Sequence, residues 1–139
     1  MSIKITGLLH AGVRIRPGDP ETEKALAFYS GVLGLESDKE RPFIPGIPGA
    51  WLNIHPGSRN PQVHIFGAEG ASPAARSNQE DPTRAHLAFA VADLDEAGAE
   101  LKRQGVHFWV YENLVGRGSD QVFFEDPFGN MIELQQAPA

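Results

Sequence analysis

Alternation of apolar and polar side chains predicts a strand near the start of each half of the chain. In residues 8–16 aliphatic side chains occupy every second position, and His10 lies on the opposite face with small or charged neighbours. In residues 85–91 bulky side chains alternate in the same way with a face that carries His86. A period of two residues is typical of a half-buried strand. Both histidines are therefore expected to point away from the aliphatic face.

Apolar positions spaced three and four residues apart predict a helix after each of these strands. The first helix includes residues 25–33, and Asp19 or Thr22 is expected to cap it. The second is expected to begin after Asp93 and to end at Gly105. Aspartate is a favoured N-cap residue, and glycine tolerates the conformation that closes a helix.

Short strands are predicted to close each half. In the first half they are residues 51–55 and 62–66, and in the second they are residues 106–110 and a hairpin over 122–135. The hairpin is expected to turn at the Asp-Pro-Phe-Gly-Asn sequence of residues 126–130. Proline presets φ there, and glycine and asparagine tolerate the left-handed conformations that a reversal needs.

The same order of elements thus occurs twice along the chain. This repetition predicts two βαβββ modules, about 5–70 and 83–136, within a single α+β domain of residues 1–139. The proline-rich residues 42–49 are interpreted as a surface or lid loop, and the small, polar residues 67–82 as the connector between the modules.

Composition and charge exclude several classes of function. The chain has 139 residues, no cysteine and a formal net charge of -6, so disulfides and thiolate chemistry are excluded. No basic patch stands out, which argues against nucleic acid or an anionic membrane as a partner. The N-terminal apolar run is short and is broken by His10. We therefore expect no secretory signal or membrane span, and a cytoplasmic protein.

The duplication carries the candidate chemistry. His10 and His64 lie on the opening and closing strands of the first module, 54 residues apart (64 − 10), and His86 and Glu133 occupy the equivalent places in the second, 47 apart (133 − 86). If the two sheets curl around a common cup, three imidazoles and one carboxylate converge. Such donors suit one divalent metal ion, Zn, Ni, Fe or Mn, with positions left for water or a small-molecule substrate.

Simpler interpretations exist for single residues. A lone strand histidine is more often hydrogen-bonded or on the surface than a ligand, and His55 and His107, which have no counterpart in the other module, are assigned that role. Glu133 alone would equally fit an exposed carboxylate on an edge strand, and Arg14 would fit a solvated charge. Arg14 and Met131 share strand faces with predicted ligands, and both are assigned to substrate binding.

Four stretches of the chain match a known pattern. They are His10 with Gly12-Val13-Arg14-Ile15, then Phe28-Tyr29-Ser30-Gly31-Val32-Leu33-Gly34-Leu35, His86-Leu87-Ala88-Phe89, and Asp126-Pro127-Phe128-Gly129-Asn130-Met131-Ile132-Glu133-Leu134. Together they resemble the vicinal oxygen chelate superfamily, which includes glyoxalase I, fosfomycin and bleomycin resistance proteins, extradiol dioxygenases and methylmalonyl-CoA epimerase. The resemblance covers nearly the whole chain.

The resemblance implies a fold, a metal and an assembly. The fold is a pair of βαβββ modules forming an open, cupped barrel of mixed β-sheet with the helices outside. One divalent metal ion is implied at residues matching His10, His86 and Glu133, usually with a fourth ligand at His64. Chains with a single pair of modules commonly form homodimers.

The resemblance also implies a metal-dependent enzyme of lyase or isomerase type. Its metal would chelate vicinal oxygens of a small substrate and stabilise an enolate or oxyanion. Glu133, if displaced from the metal by the substrate, is the only motif residue able to serve as the catalytic base. The chain departs from bacterial glyoxalase I, which has glutamate in place of His64. The alternatives are a ring-cleaving extradiol dioxygenase and a metal-free resistance protein of the same fold that binds a small molecule or antibiotic.

Overall fold

The computed structural model describes residues 3–116 and 118–138, and its elements follow each other as two consecutive βαβββ series, as predicted. A π-helical turn, Ala27–Val32, continues the first helix. Neither helix in the described part of the chain is long and apolar enough to cross a membrane. The elements are β1 (Ile5–Ile15), α1 (Asp19–Leu26), β2 (Glu36–Ser37), β3 (Gly49–Asn53), β4 (Gln62–Gly67), β5 (His86–Val91), α2 (Leu94–Arg103), β6 (Phe108–Tyr111), β7 (Gln121–Glu125) and β8 (Met131–Gln136).

The eight strands form one mixed sheet, in the order β2-β3-β4-β1-β5-β8-β7-β6. The sheet has two ends, β2 and β6, so the predicted α+β class with an open sheet is confirmed. The chain divides into two compact units. The N-terminal unit is His10–Ala85, and the C-terminal unit is Met1–Leu9 together with His86–Ala139. The division falls within β1, and the assignment of residues 1–139 to a single domain stays a prediction.

The N-terminal unit buries one face of its strands against α1. In this unit β1 runs parallel to β4, and β3 pairs antiparallel with both β4 and β2. Val13 and Ile15 of β1 pack against the core, so the alternation of the strand puts His10 and Arg14 on the other face. The buried core residues are Ala25, Ala50, Leu52 and Ile65.

Helix α1 begins without the side-chain cap that the sequence predicts. Gly18 occupies the N-cap position with φ 125, and no side chain hydrogen-bonds to the first turn. The hydroxyl of Thr22 donates to the carbonyl of Gly18 at 3.1 Å, and Asp19 already lies inside the helix. Pro20 presets a helical φ in the first turn and lacks an N–H that would need an acceptor. The prediction that Asp19 or Thr22 caps this helix is therefore wrong.

The C-terminal unit confirms two local predictions. Asp93 caps α2 by accepting from the backbone N–H of Glu96 at 3.1 Å. The turn between β7 and β8 is held by the carboxylate of Asp126, which accepts from the backbone N–H groups of Phe128 and Asn130. Helix α2 covers one face of the strands. The buried residues between them are Val91, Ala97, Leu101, Val122 and Leu134.

The other face of the C-terminal strands carries a second cluster. It consists of Trp109, Tyr111, Phe123 and Met131. Phe123 pairs directly with Glu133 in the antiparallel ladder of β7 and β8, so the two side chains lie on the same face. The carboxylate is thus placed among aromatic side chains and away from the helix.

Candidate metal centre

A buried histidine and a buried carboxylate are in contact in the C-terminal unit. His86 opens β5, and Glu133 lies on the parallel neighbour β8. The Nε2 of His86 is 2.9 Å from the Oε1 of Glu133, and each side chain is 1% exposed. Strand β8 has β5 on one side and β7 on the other. The interpretation of Glu133 as an exposed edge-strand carboxylate is therefore wrong.

Two glutamines hold the second oxygen of this carboxylate. The amide of Gln121 donates to Oε2 of Glu133 at 3.1 Å, and the amide of Gln135 donates to the same oxygen. Because Oε2 is held in this way, Oε1 is the oxygen that faces His86. Sequence reasoning assigned no role to either glutamine. The signal for Gln135 was its spacing of two residues from Glu133, which places both on one strand face.

The N-terminal unit presents its two predicted ligands as a stack. The ring of His64 on β4 lies 3.7 Å from the ring of His10, with 16° between the planes. Its other face lies 4.5 Å from Trp51, with 5° between the planes. The Nε2 of His64 is 2.8 Å from the Oε1 of Gln62. Trp51 and Gln62 are further site residues that the sequence analysis did not identify.

One group of donors in the described residues could hold a metal ion. One ligand atom from each of His10, His86 and Glu133 lies within 4.8 Å of the other two, and all three residues are buried. Two ligand atoms that are each about 2.0–2.2 Å from one ion, at right angles, are about 3 Å apart, close to the 2.9 Å between His86 and Glu133. The donor set therefore fits a divalent metal ion. His64 is not in this group, and its role as a fourth ligand stays a prediction.

Arg14 is bound to other groups of the N-terminal unit. Its Nη2 lies 3.2 Å from Oδ2 of Asp81 and donates to Oγ1 of Thr83 at 2.8 Å and to the carbonyl of Gly70 at 2.6 Å. Burial acts to raise the pKa of Asp81, but hydrogen bonds from Ser72 and Thr83 lower it overall. Arg14 thus fastens the segment after β4 to β1, and the interpretation of Arg14 as a solvated charge is wrong.

The remaining predicted residues lie as follows. Met131 is 2% exposed and packs with the aromatic cluster on the face that carries Glu133. The substrate-binding roles of Arg14 and Met131 stay predictions. His55 and His107 are exposed, as expected for histidines without a counterpart.

Comparisons with known proteins agree on one family. The model of the Glyoxalase/Bleomycin resistance protein/Dioxygenase superfamily matches residues 9–134. The chain is 28% identical over 135 residues to Glyoxylase I 4 of Arabidopsis thaliana, and the aligned region covers 95% of this chain and 71% of that protein. It is 25% identical over 122 residues to the mitochondrial methylmalonyl-CoA epimerase of Bos taurus, covering 85% and 69%. The crystal structure of methylmalonyl-CoA epimerase from Mycobacterium tuberculosis matches with a TM-score of 0.67 and 25% identity, covering 99% of this chain and 91% of that one.

Proposed function

Because this chain belongs to the Glyoxalase/Bleomycin resistance protein/Dioxygenase superfamily, we propose that it is a divalent-metal-dependent enzyme acting on a small substrate with vicinal oxygens. The observation that carries the proposal is the buried group of His10, His86 and Glu133, each with a ligand atom within 4.8 Å of the others. Two imidazoles and one carboxylate suit Zn, Ni, Fe or Mn. A set of three protein ligands leaves positions for substrate oxygens.

The protein's part in this chemistry is to present and orient the donors. A bound divalent metal supplies Lewis acidity, which stabilises negative charge developing on the substrate oxygens. The amides of Gln121 and Gln135 hold Oε2 of Glu133, so that Oε1 would be the oxygen available to a metal ion. The ring of His64 stacks on His10 and limits the tilt of that ligand. Partners of this kind are commonly needed for full metal affinity.

We favour a lyase or isomerase reaction that begins with removal of a proton next to a carbonyl. The relatives named glyoxylase I and methylmalonyl-CoA epimerase support this class, because inversion of a stereocentre beside a carbonyl requires a proton to leave and return. Glu133 is the proposed base, a role it would take if the substrate displaces it from the metal. Its carboxylate is buried and in contact with His86, and a general base must reach the proton that it removes.

A ring-cleaving dioxygenase is the second candidate. Two histidines and one carboxylate with open positions form the donor set of non-haem Fe(II) oxygenases, and the group of His10, His86 and Glu133 has this composition. A metal-free binding protein of the same family would have no need to bury these three donors together, so their retention favours an enzyme.

Metal content tests the proposal first. The full chain, purified without chelator and incubated with Zn, Ni, Fe(II) or Mn in turn, is expected to retain about one ion per chain. His86→Ala should lose that ion. The exposed His55 provides a matched control, since it lies after the end of β3 and is not among the predicted ligands.

The reaction class is tested by substrates offered to each metal form. Hemithioacetals of 2-oxoaldehydes and α-branched malonyl thioesters test proton transfer, and catechols under air test ring cleavage. Turnover that His86→Ala abolishes and His55→Ala retains would support the metal-dependent enzyme. A wild-type protein that binds none of the four ions, or a His86→Ala variant with unchanged metal content, would refute it.

A further inference from the structure

A chain of hydrogen bonds runs through the N-terminal unit and includes His64. The Nε2 of Gln62 donates to Oδ2 of Asp38 at 3.0 Å and to Oδ1 of Asn53 at 2.8 Å. The Oε1 of the same amide is 2.8 Å from Nε2 of His64. The Nδ2 of Asn53 donates in turn to Oε1 of Glu36 at 2.9 Å. Gln62, Asn53 and His64 are all buried.

The two carboxylates at the far end set the direction of every bond in this chain. An ionised carboxylate can only accept hydrogen bonds. Hydrogen bonds from the backbone N–H of Gly57 and from Asn53 lower the pKa of Glu36. Burial acts to raise the pKa of Asp38, but hydrogen bonds led by the Glu40 backbone N–H lower it overall. Both groups therefore act as acceptors at neutral pH, and each orients the amide that faces it.

Counting donors then fixes the proton on the imidazole. The amide of Gln62 has two N–H groups, and Asp38 and Asn53 take one each. Its oxygen is left as the atom facing His64, and a carbonyl oxygen can only accept. The opposite amide orientation would bring the oxygen of Gln62 against two other acceptors. The Nε2 of His64 must therefore be the donor in the 2.8 Å contact.

Stacking prevents the ring from turning to another arrangement. His64 lies between Trp51 and His10, at 4.5 Å and 3.7 Å. The guanidinium of Arg59 lies 5.6 Å from the Trp51 ring, and its Nε donates to Oδ2 of Asp38 at 2.8 Å. Arg59 thus contacts both Trp51, which stacks on His64, and Asp38, which accepts a hydrogen bond from Gln62. A rotation of the His64 ring would break its bond to Gln62.

We propose that Gln62 is a positioning residue that holds His64 as its Nε2–H tautomer, so that any bond from His64 to a metal ion or to a substrate proton is made by Nδ1. In a neutral imidazole the nitrogen without a proton is the one that accepts. The functional part of the inference rests on the proposed metal centre, because it assigns which nitrogen of His64 serves that centre. The tautomer itself depends only on the N-terminal unit.

Nitrogen-15 NMR of the imidazoles in the metal-free, full-length protein tests the tautomer directly. Spectra are recorded at alkaline pH, where histidines are neutral, and the His64 signals are identified as those that disappear in His64→Gln. The wild type is expected to show a protonated Nε2, with a proton that exchanges slowly with water, and an unprotonated Nδ1. Gln62→Glu keeps an acceptor oxygen facing His64, although its second oxygen then meets Asp38 and Asn53, and the folded variant should retain that pattern.

Gln62→Lys is expected to reverse the position of the proton on the His64 ring, which makes it the decisive variant. An ammonium group can only donate, and it can still pair with Asp38. Nε2 of His64 must then accept, so the proton is expected to move to Nδ1. An imidazole in water already favours protonation at Nε2, which makes a reversal more informative than the wild-type spectrum. The exposed His107 should give the same spectrum in all variants.

Two results would overturn the inference. One is a wild-type His64 with its proton on Nδ1 or with a rapidly exchanging Nε2–H. The other is a folded Gln62→Lys variant that keeps the wild-type tautomer. If Gln62→Lys does not fold, the rate at which the Nε2–H of His64 exchanges with water in the wild type and in Gln62→Glu still tests the assigned tautomer. Failure of the metal centre is seen separately, as the absence of metal in the wild type, and leaves the tautomer result valid.

Discussion

Replacement of Gln121 by leucine should weaken metal binding while changing the stability of the metal-free protein little. The amide of Gln121 donates to Glu133 at 3.1 Å, and a hydrogen bond to a charged group contributes about 1.5–3 kcal/mol. The Oε1 of Gln121 is buried with no hydrogen-bond partner among the described residues, which costs about 1–3 kcal/mol. Leucine removes both terms. The free energy of unfolding should therefore change by no more than about 2 kcal/mol.

The lost hydrogen bond and the removed unpartnered oxygen do not offset each other in the affinity for metal. The unpartnered oxygen is present whether or not metal is bound, so its removal affects both states equally. The hydrogen bond, in contrast, orients the carboxylate of Glu133 that the metal centre needs. Loss of a group that holds a metal ligand typically lowers affinity by about 10- to 100-fold, which corresponds to about 1.4–2.7 kcal/mol.

Zinc titration of the metal-free protein by calorimetry measures the affinity, and urea unfolding of the same samples measures stability. Gln79→Leu is the matched control, because Gln79 is exposed and the same change is made there. We expect a dissociation constant raised 10- to 100-fold in Gln121→Leu only. An unchanged constant in Gln121→Leu, or an equal loss in Gln79→Leu, would refute the reasoning.

The other predictions concern acid stability, metal content and assembly. Asp81 has a lowered pKa, so its contribution to stability is present above its unfolded pKa of about 3.9 and is lost as pH falls through the folded value. Asp81→Asn should cost about 2–3 kcal/mol at neutral pH and flatten the acid limb of a pH series of urea unfolding curves. If His64 is the fourth ligand, His64→Ala should lose bound metal as His86→Ala does; loss in elemental analysis only for His86→Ala would exclude His64 from the ligands. Light scattering at micromolar concentration should give the mass of a homodimer, with an interface of about 1,600 Å², and a monomer mass would contradict this.

The strand faces of the candidate ligands could be predicted because they depend on local periodicity. A strand period of two residues separates His10 and Glu133 from the aliphatic faces of β1 and β8, and no knowledge of distant contacts is needed. Repetition of the pattern then singled out these residues from His55 and His107. The same argument included His64, but it could not tell which of several nearby groups each ring nitrogen would meet.

The partners of the ligands could not be predicted because they depend on pairing between strands. Trp51 reaches His64 because β3 and β4 pair in the register that places these two residues opposite each other. Gln121 reaches Glu133 diagonally across the ladder of β7 and β8, because it lies two residues before Phe123, which is opposite Glu133. A glutamine or a tryptophan in a short strand fits a surface position equally well until that register is known. Gly18 shows the same difficulty at a helix end, where a glycine with φ 125 replaced the expected polar cap.

Two of the contacts between the candidate ligands and their partners nevertheless follow a local sequence pattern. Each closing strand places a glutamine two residues from its ligand-type residue, with Gln62 before His64 and Gln135 after Glu133. Residues two apart on a strand share a face and are about 6.6 Å apart along it, a distance that a glutamine side chain spans. The direction of the bond differs, because the Gln135 amide donates to a carboxylate whereas Gln62 offers its oxygen to an imidazole. That difference is set by Asp38 and by the charge of Glu133, so spacing alone predicts the contact and only the three-dimensional partners predict which atom carries the proton.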